Sequence, residues 1–197
     1  NNAWPLDMIK ISNSSPFLLP WYFKYLGPFK YTFFISELER DRTIPEVKLG
    51  GIRINFKPHP RLEVGLSRVA MIGGKGRPSI GGNEILSIFF GENIANIKED
   101  TSNQIAAIDF SYKLPLKWKI LEHAELYGEW GGEDEAGGLP TKPGYIIGIY
   151  LPKLTKDGRT DLLLEYAKTH KVWYSHRIYQ TGYSYKGSII GHHIGGD

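Results

Sequence analysis

Apolar residues recur at every second position through most of this chain, and that period of two constrains its fold more than any motif does. Phe29, Tyr31, Phe33 and Ile35 fall on one side of a strand, with Lys30, Thr32, Phe34 and Ser36 on the other. Ile52, Ile54 and Phe56 alternate with Arg53, Asn55 and Lys57. Pro58-His59-Pro60-Arg61 then turns the chain, and Leu62, Val64 and Leu66 alternate with Glu63, Gly65 and Ser67, which makes a β-hairpin. The pattern returns over Asn103–Leu114, Lys119–Trp130, Tyr145–Leu151 and Thr160–Thr169, the last two joined by a turn holding the hairpin dipeptide Asp157-Gly158. Arg53, Lys57, Glu63 and Arg68 read as long charges on one face of a sheet, opposite a smooth aliphatic face.

An alternating sheet of this kind has two candidate solvents for its apolar side. One is a protein core, as in a sandwich. The other is lipid, with the charged side lining a water-filled lumen. Strand length favours the second: about seven strands emerge, near the ~9–11 residues a tilted strand needs to cross a bilayer. Short connections (58–61, 115–118, 152–159) also alternate with long ones (39–47, 73–102, 131–143), as in outer-membrane barrels. Composition agrees with an all-β chain, with 13% aromatic residues and 23 glycines. No stretch approaches the roughly 18 apolar residues of a transmembrane helix, which leaves a β-barrel open. At 197 residues the length fits one domain, 1–197. Both ends read as those of a segment from a longer chain, because it starts at Asn1 without Met and stops at the turn-like Ile194-Gly195-Gly196-Asp197.

Several chemistries fall away. There is no cysteine, so thiol catalysis, thiolate metal sites and disulfides are excluded. With 24 basic and 21 acidic residues, dispersed, the charge balance offers no nucleic-acid footprint. The glycine-rich stretch Gly73–Asn83 lacks the spacing of a phosphate loop and reads as a long connection, with Glu84–Phe90 a short helix within it and Asn93–Ser102 polar loop. No Gly-x-Ser-x-Gly elbow occurs. His170, His176, His192 and His193 have no carboxylate at a metal-binding spacing, so no metal or other cofactor is expected.

Four stretches keep open readings. Glu133-Asp134-Glu135, between the glycine pairs 131–132 and 137–138, reads as an acidic loop; with Glu125 and Glu129 it offers carboxylates for glycoside hydrolysis or, without the usual loop spacing, for calcium. Trp173 to Tyr185 mixes Trp, Tyr, His and Arg. Rings that stack on the C–H face of a sugar, flanked by polar groups for its hydroxyls, suit carbohydrate; they equally suit an interfacial girdle or a plain core. The run Glu37–Arg42 reads as a solvated loop or a polar ligand loop. Trp21-Tyr22-Phe23-Lys24-Tyr25-Leu26 reads as a short strand or an interfacial belt.

Taken in order, several stretches resemble one family. They are Gly27-Pro28 with Tyr31-Thr32-Phe33-Phe34; Leu62 to Arg68; Gly74 to Pro78; Asn103-Gln104-Ile105-Ala106; Leu126-Tyr127-Gly128-Glu129 running into Gly132 to Pro140; and Tyr183-x-Tyr185-x-Gly187 running to Gly191–Asp197. This set is similar to the Wzi-like capsule assembly proteins of Gram-negative bacteria. The resemblance implies a transmembrane antiparallel up-and-down β-barrel of the outer-membrane type, with about eighteen strands, inside the known range, of which this chain is a part. It implies a non-enzymatic lectin of the bacterial outer membrane that attaches capsular or exopolysaccharide to the cell surface. Its partners would be polysaccharide and outer-membrane lipid, not nucleic acid. Sugar-binding candidates rest on side-chain chemistry instead: Arg68, Arg77 and Arg177 for acidic sugars, Trp130 and Tyr183 for ring faces, and Glu133, Asp134 and Glu135 for hydroxyls. A glycan hydrolase using Glu129 and Glu133, or a solute-conducting porin, are the alternatives.

Overall fold

A computed structural model describes residues 4–78, 81, 102–116, 123–136, 139–170, 173–174 and 176–191. Among them, nine strands form one antiparallel sheet: β1 (Met8–Ser12), β2 (Phe17–Leu18), β3 (Pro28–Glu37), β4 (Lys48–His59), β5 (Leu62–Ile72), β6 (Ser102–Pro115), β7 (His123–Ala136), β8 (Leu139–Leu151) and β9 (Leu162–Lys168). Their order is β1-β3-β4-β5-β6-β7-β8-β9, with β2 also on β3, so each strand from β3 onward pairs with the next in sequence. This is the up-and-down topology expected, left open between β1 and β9. The helix expected at Glu84–Phe90 lies outside the described residues.

Register explains the two faces. Tyr31, Ile54, Leu66, Ile108, Trp130 and Tyr145 are successive partners across β3 to β8 and so share one side. The next row on that side runs Phe29, Phe56, Val64, Phe110, Gly128, Ile147, Tyr166. Here Leu66 is 43% exposed and Ile108 44%. A water-soluble protein rarely leaves apolar surface of more than a few hundred Å² uncovered; a barrel wall in lipid needs such a surface. We call this side outward.

The inner side is polar over its middle. Arg53 Nη2 donates to Asp109 Oδ1 at 2.8 Å, and Nη1 lies 2.8 Å from Oδ2. This pair reaches across β5 above Gly65. A Cβ there would sit 2.4 Å from Asp109 Oδ2, so glycine is what lets the pair close. Asn55 Nδ2 donates to Glu63 Oε1, Ser111 Oγ to Glu125 Oε1, and the Tyr127 hydroxyl to Glu165 Oε2. Arg68 does not belong to this group. It lies an odd number of residues from Glu63 and so faces outward, where its Nε and Nη2 donate to Gln104 Oε1 at 3.0 and 2.6 Å.

Three further expectations change. The stretch 131–143 is mostly strand, because Gly131 pairs with Gly144 and Glu133 with Lys142, and the β7–β8 connection is confined to residues 137–138. Short and long connections therefore alternate less cleanly than the sequence implies. Residues Trp21–Leu26 form an exposed 3₁₀ turn in place of a short strand, at the sheet end that also carries the Pro60-Arg61 turn. Lastly, β1 and β2 take the sheet to nine strands, beyond the about seven that alternation gives.

Candidate functional site

The opposite end of the sheet, bearing the connections 38–47 and 73–101, holds the buried core. Leu38, Val47, Leu49 and Met71 pack there with Tyr179, Tyr183 and Tyr185, which come from a segment laid against the inner face. That segment folds into a small hairpin, β10 (Ser184–Tyr185) and β11 (Ser188–Ile189). Its turn residues Lys186 (φ 48°) and Gly187 (φ 75°) both take the left-handed conformation that matches hairpin twist. Alternation over 170–197 is too short to reveal these strands.

Three side chains fasten the hairpin. The Tyr183 hydroxyl donates to Asn103 O at 2.7 Å and approaches Val69 O at 3.3 Å. Burial first, and then the nearby Glu133 carboxylate, push this phenol well above its ordinary range, so it stays a neutral donor. The Tyr179 hydroxyl donates to Gly73 O at 3.1 Å. Arg42 is the centre of the clamp. Its side chain is 2% exposed; Nη1 donates to Ser184 O at 2.6 Å and to Glu39 Oε1 at 3.1 Å, and Nη2 donates to Gly182 O at 2.6 Å. Burial lowers the Arg42 pKa and Glu39 opposes that, and an arginine starts high enough to stay charged. The run Glu37–Arg42 is therefore neither solvated nor a ligand loop at Arg42. Removing the Tyr183 hydroxyl (Tyr183→Phe) is expected to loosen the hairpin by about 1–2 kcal/mol, the worth of a buried hydrogen bond. Amide exchange over 179–190 in the full-length protein checks this; unchanged protection would contradict it.

Between this segment and β4–β9 lies a cavity of about 250 Å³. Its floor is the Gly131–Gly144 pair. A Cβ on Gly144 would lie 3.0 Å from Trp173 Cζ3 and Cη2, so the missing side chain makes room for the indole. Trp173, Tyr174 and Tyr183 form a continuous aromatic wall, with ring centroids 5.8 and 5.9 Å apart. Glu129 borders the space. Trp173 falls in the aromatic run and Glu129 in the carboxylate set read from the sequence, but their convergence on the glycine pair is not legible there, because it depends on register across several strands.

The selected residues scatter. Tyr183 lines the cavity, but its hydroxyl is spent on the backbone. Glu133 is 2% exposed on the inner side of β7, near Tyr183. Asp134 and Glu135 continue β7. Arg177 is exposed on the inserted segment. Arg77 lies in the turn after β5, its backbone N–H donating to Gly74 O. Arg68 and Trp130 face outward, Trp130 being 39% exposed. His176 is structural, its Nδ1 accepting from the N–H groups of Ile178 and Tyr179; His192 and His193 lie outside the described residues.

An apolar outward wall, a polar inner wall and an inserted segment define a β-barrel protein of the outer membrane. The chain belongs to the capsule assembly protein Wzi family, whose model matches residues 1–197. It is 33% identical over 131 residues to an uncharacterized 55.8 kDa protein in the cps region of Klebsiella pneumoniae, covering 66% of this chain and 25% of that one. It also matches the structure of Wzi from Escherichia coli, an outer membrane protein involved in group 1 capsule assembly and a carbohydrate-binding β-barrel. That match has a TM-score of 0.76 and 26% identity over 100% of this chain and 43% of that chain. The chain thus spans less than half the length of these relatives.

Proposed function

We propose that the full-length protein is a non-enzymatic lectin of the outer membrane that holds capsular or exopolysaccharide at the cell surface, with lipid against its outward face. Family membership and the match to a carbohydrate-binding barrel support this reading. The observation that carries it is the aromatic cavity at the end bearing the longest connection, where Trp173 and the Gly131–Gly144 floor give a sugar ring a flat apolar face. Arg177 on the exposed side of the inserted segment, Arg77, and the Glu133–Glu135 stretch remain proposed contributors. Arg68 and Trp130, on the lipid side, are left out.

Two observations weigh against the alternatives. Glu129 and Glu133 stand four residues apart on one strand, so with backbones ~13 Å apart both side chains would have to lean toward each other to reach the ~5–9.5 Å between the carboxyls of glycosidase pairs. For a porin, the segment bearing Tyr179, Tyr183 and Tyr185 packs against the inner face of the sheet, the side that would line a pore. The test is binding of purified full-length protein, in micelles, to polysaccharide from the parent bacterium. Saturable binding without release of reducing ends is expected. Absence of binding would overturn the lectin reading, and steady release of reducing ends would favour the hydrolase.

A further inference from the structure

The cavity also carries information about which sugar it takes. We infer that it is a subsite for a single uncharged pyranose ring bearing a small apolar substituent, a 6-deoxy methyl or an N-acetyl group, and that it rejects uronic acids. This rests on the lectin reading and narrows it.

Size comes first. At about 250 Å³ the space falls just below the ~300–1,000 Å³ of drug-sized ligand pockets, so it admits one ring and not an oligosaccharide. Shape follows from small residues: Ala107, Ala167 and Gly131 keep the sheet side flat beside Trp173, whose indole lies against Gly144. The remaining walls are mostly apolar, with Val69, Ile105 and Ile146 on the sheet and Ile190 on the inserted segment, and with Ser67 and Thr169 bearing hydroxyls. A fully hydroxylated hexose would bury several hydroxyls against carbon there, at a cost for each one left unbonded. A methyl or acetyl group turns that wall into favourable contact.

Charge decides the rest. Two residues charged at neutral pH border the cavity, Glu129 and Lys168. Lys168 pairs with Tyr145 and so lies on the outward side, whereas Glu129 pairs with Asp109 and Ile146 on the inner side. Glu133, the next carboxylate along that side of β7, is close enough to raise the Tyr183 phenol. A carboxylate accepts hydrogen bonds from sugar hydroxyls but repels a uronate. The arginines that sequence chemistry offers to acidic sugars, Arg68, Arg77 and Arg177, do not border this space.

The experiment uses full-length protein in micelles and saturation-transfer NMR with methyl glycosides of a 6-deoxyhexose, an N-acetylhexosamine and a hexuronic acid. A separate arm measures whole polysaccharide. Methyl or acetyl protons are expected to receive saturation, with the uronate weaker by roughly tenfold or more. Ala107→Phe, which fills the cavity, should abolish the signal in protein that keeps its folded electrophoretic mobility. If that variant fails to fold, Trp173→Leu serves the same purpose. Equal or stronger uronate binding, or a signal indifferent to both variants, would overturn the inference while polysaccharide still binds. Loss of polysaccharide binding in the wild-type protein would overturn the lectin reading itself.

Discussion

Replacing Arg42 by methionine releases the 179–190 segment from the sheet while the strands stay paired. Arg42 has a 2% exposed side chain and gives hydrogen bonds to Ser184 O, Gly182 O and Glu39. Methionine has a similar reach but no donor. Two carbonyls and a largely buried carboxylate would then lose their partner together, and removing one member of a buried ion pair costs about 3–5 kcal/mol. The Tyr183 and Tyr179 hydrogen bonds and the packing of the tyrosines remain, but none of them supplies a partner to the groups that Arg42 leaves, and the Thr43–Thr181 contact is exposed. Amide protection over 183–190 should fall by roughly two orders of magnitude or more, at tenfold per 1.4 kcal/mol. Protection of β4–β6 should hold. Arg42→Met with Glu39→Gln should recover part of the loss, since the stranded carboxylate is gone. Unchanged protection in Arg42→Met would show that apolar packing alone holds the segment.

The second large effect comes from a three-residue step along β6. Ile108 faces outward; Ser111 faces inward and donates to Glu125 Oε1 at 2.6 Å. Ile108→Lys places an ammonium in the lipid-facing band, at about 2–4 kcal/mol for a position near the bilayer midplane. Ser111→Lys places the same charge beside Glu125 in the polar interior, where it is tolerated. Urea titration of full-length protein folded into lipid vesicles should therefore separate the two variants by at least ~2 kcal/mol. Equal stability would mean that the faces are assigned the wrong way round or that neither meets lipid.

Much of this architecture was legible because alternation is a local signal. In β3, β4 and β5, apolar and polar residues change places at each step, and partner strands then follow in order. Where glycine and acid replace the apolar member, the signal vanishes: Gly131, Gly132 and Glu133 read as loop although each has a partner in β8. Face assignment was also open to arithmetic, since Glu63 and Arg68 differ by an odd step and cannot share a side of one strand. The site was harder to read. Arg42 meets residues about 140 positions away, so a charged run that looks solvated becomes a buried clamp through contacts no local pattern encodes. Trp173 similarly acquires its place because Gly144, in a different strand and 29 positions earlier, leaves room for the indole against the sheet.

Retention of polysaccharide on living cells tests the proposed role most directly. In the parent bacterium, the cell-bound fraction of polysaccharide would be measured against the fraction shed into the medium. A strain lacking the full-length protein would be compared with one carrying it again. Polysaccharide is expected to be made in both strains, to be shed without the protein and to return to the cells with it. Normal retention in the strain that lacks the protein would contradict the role proposed here.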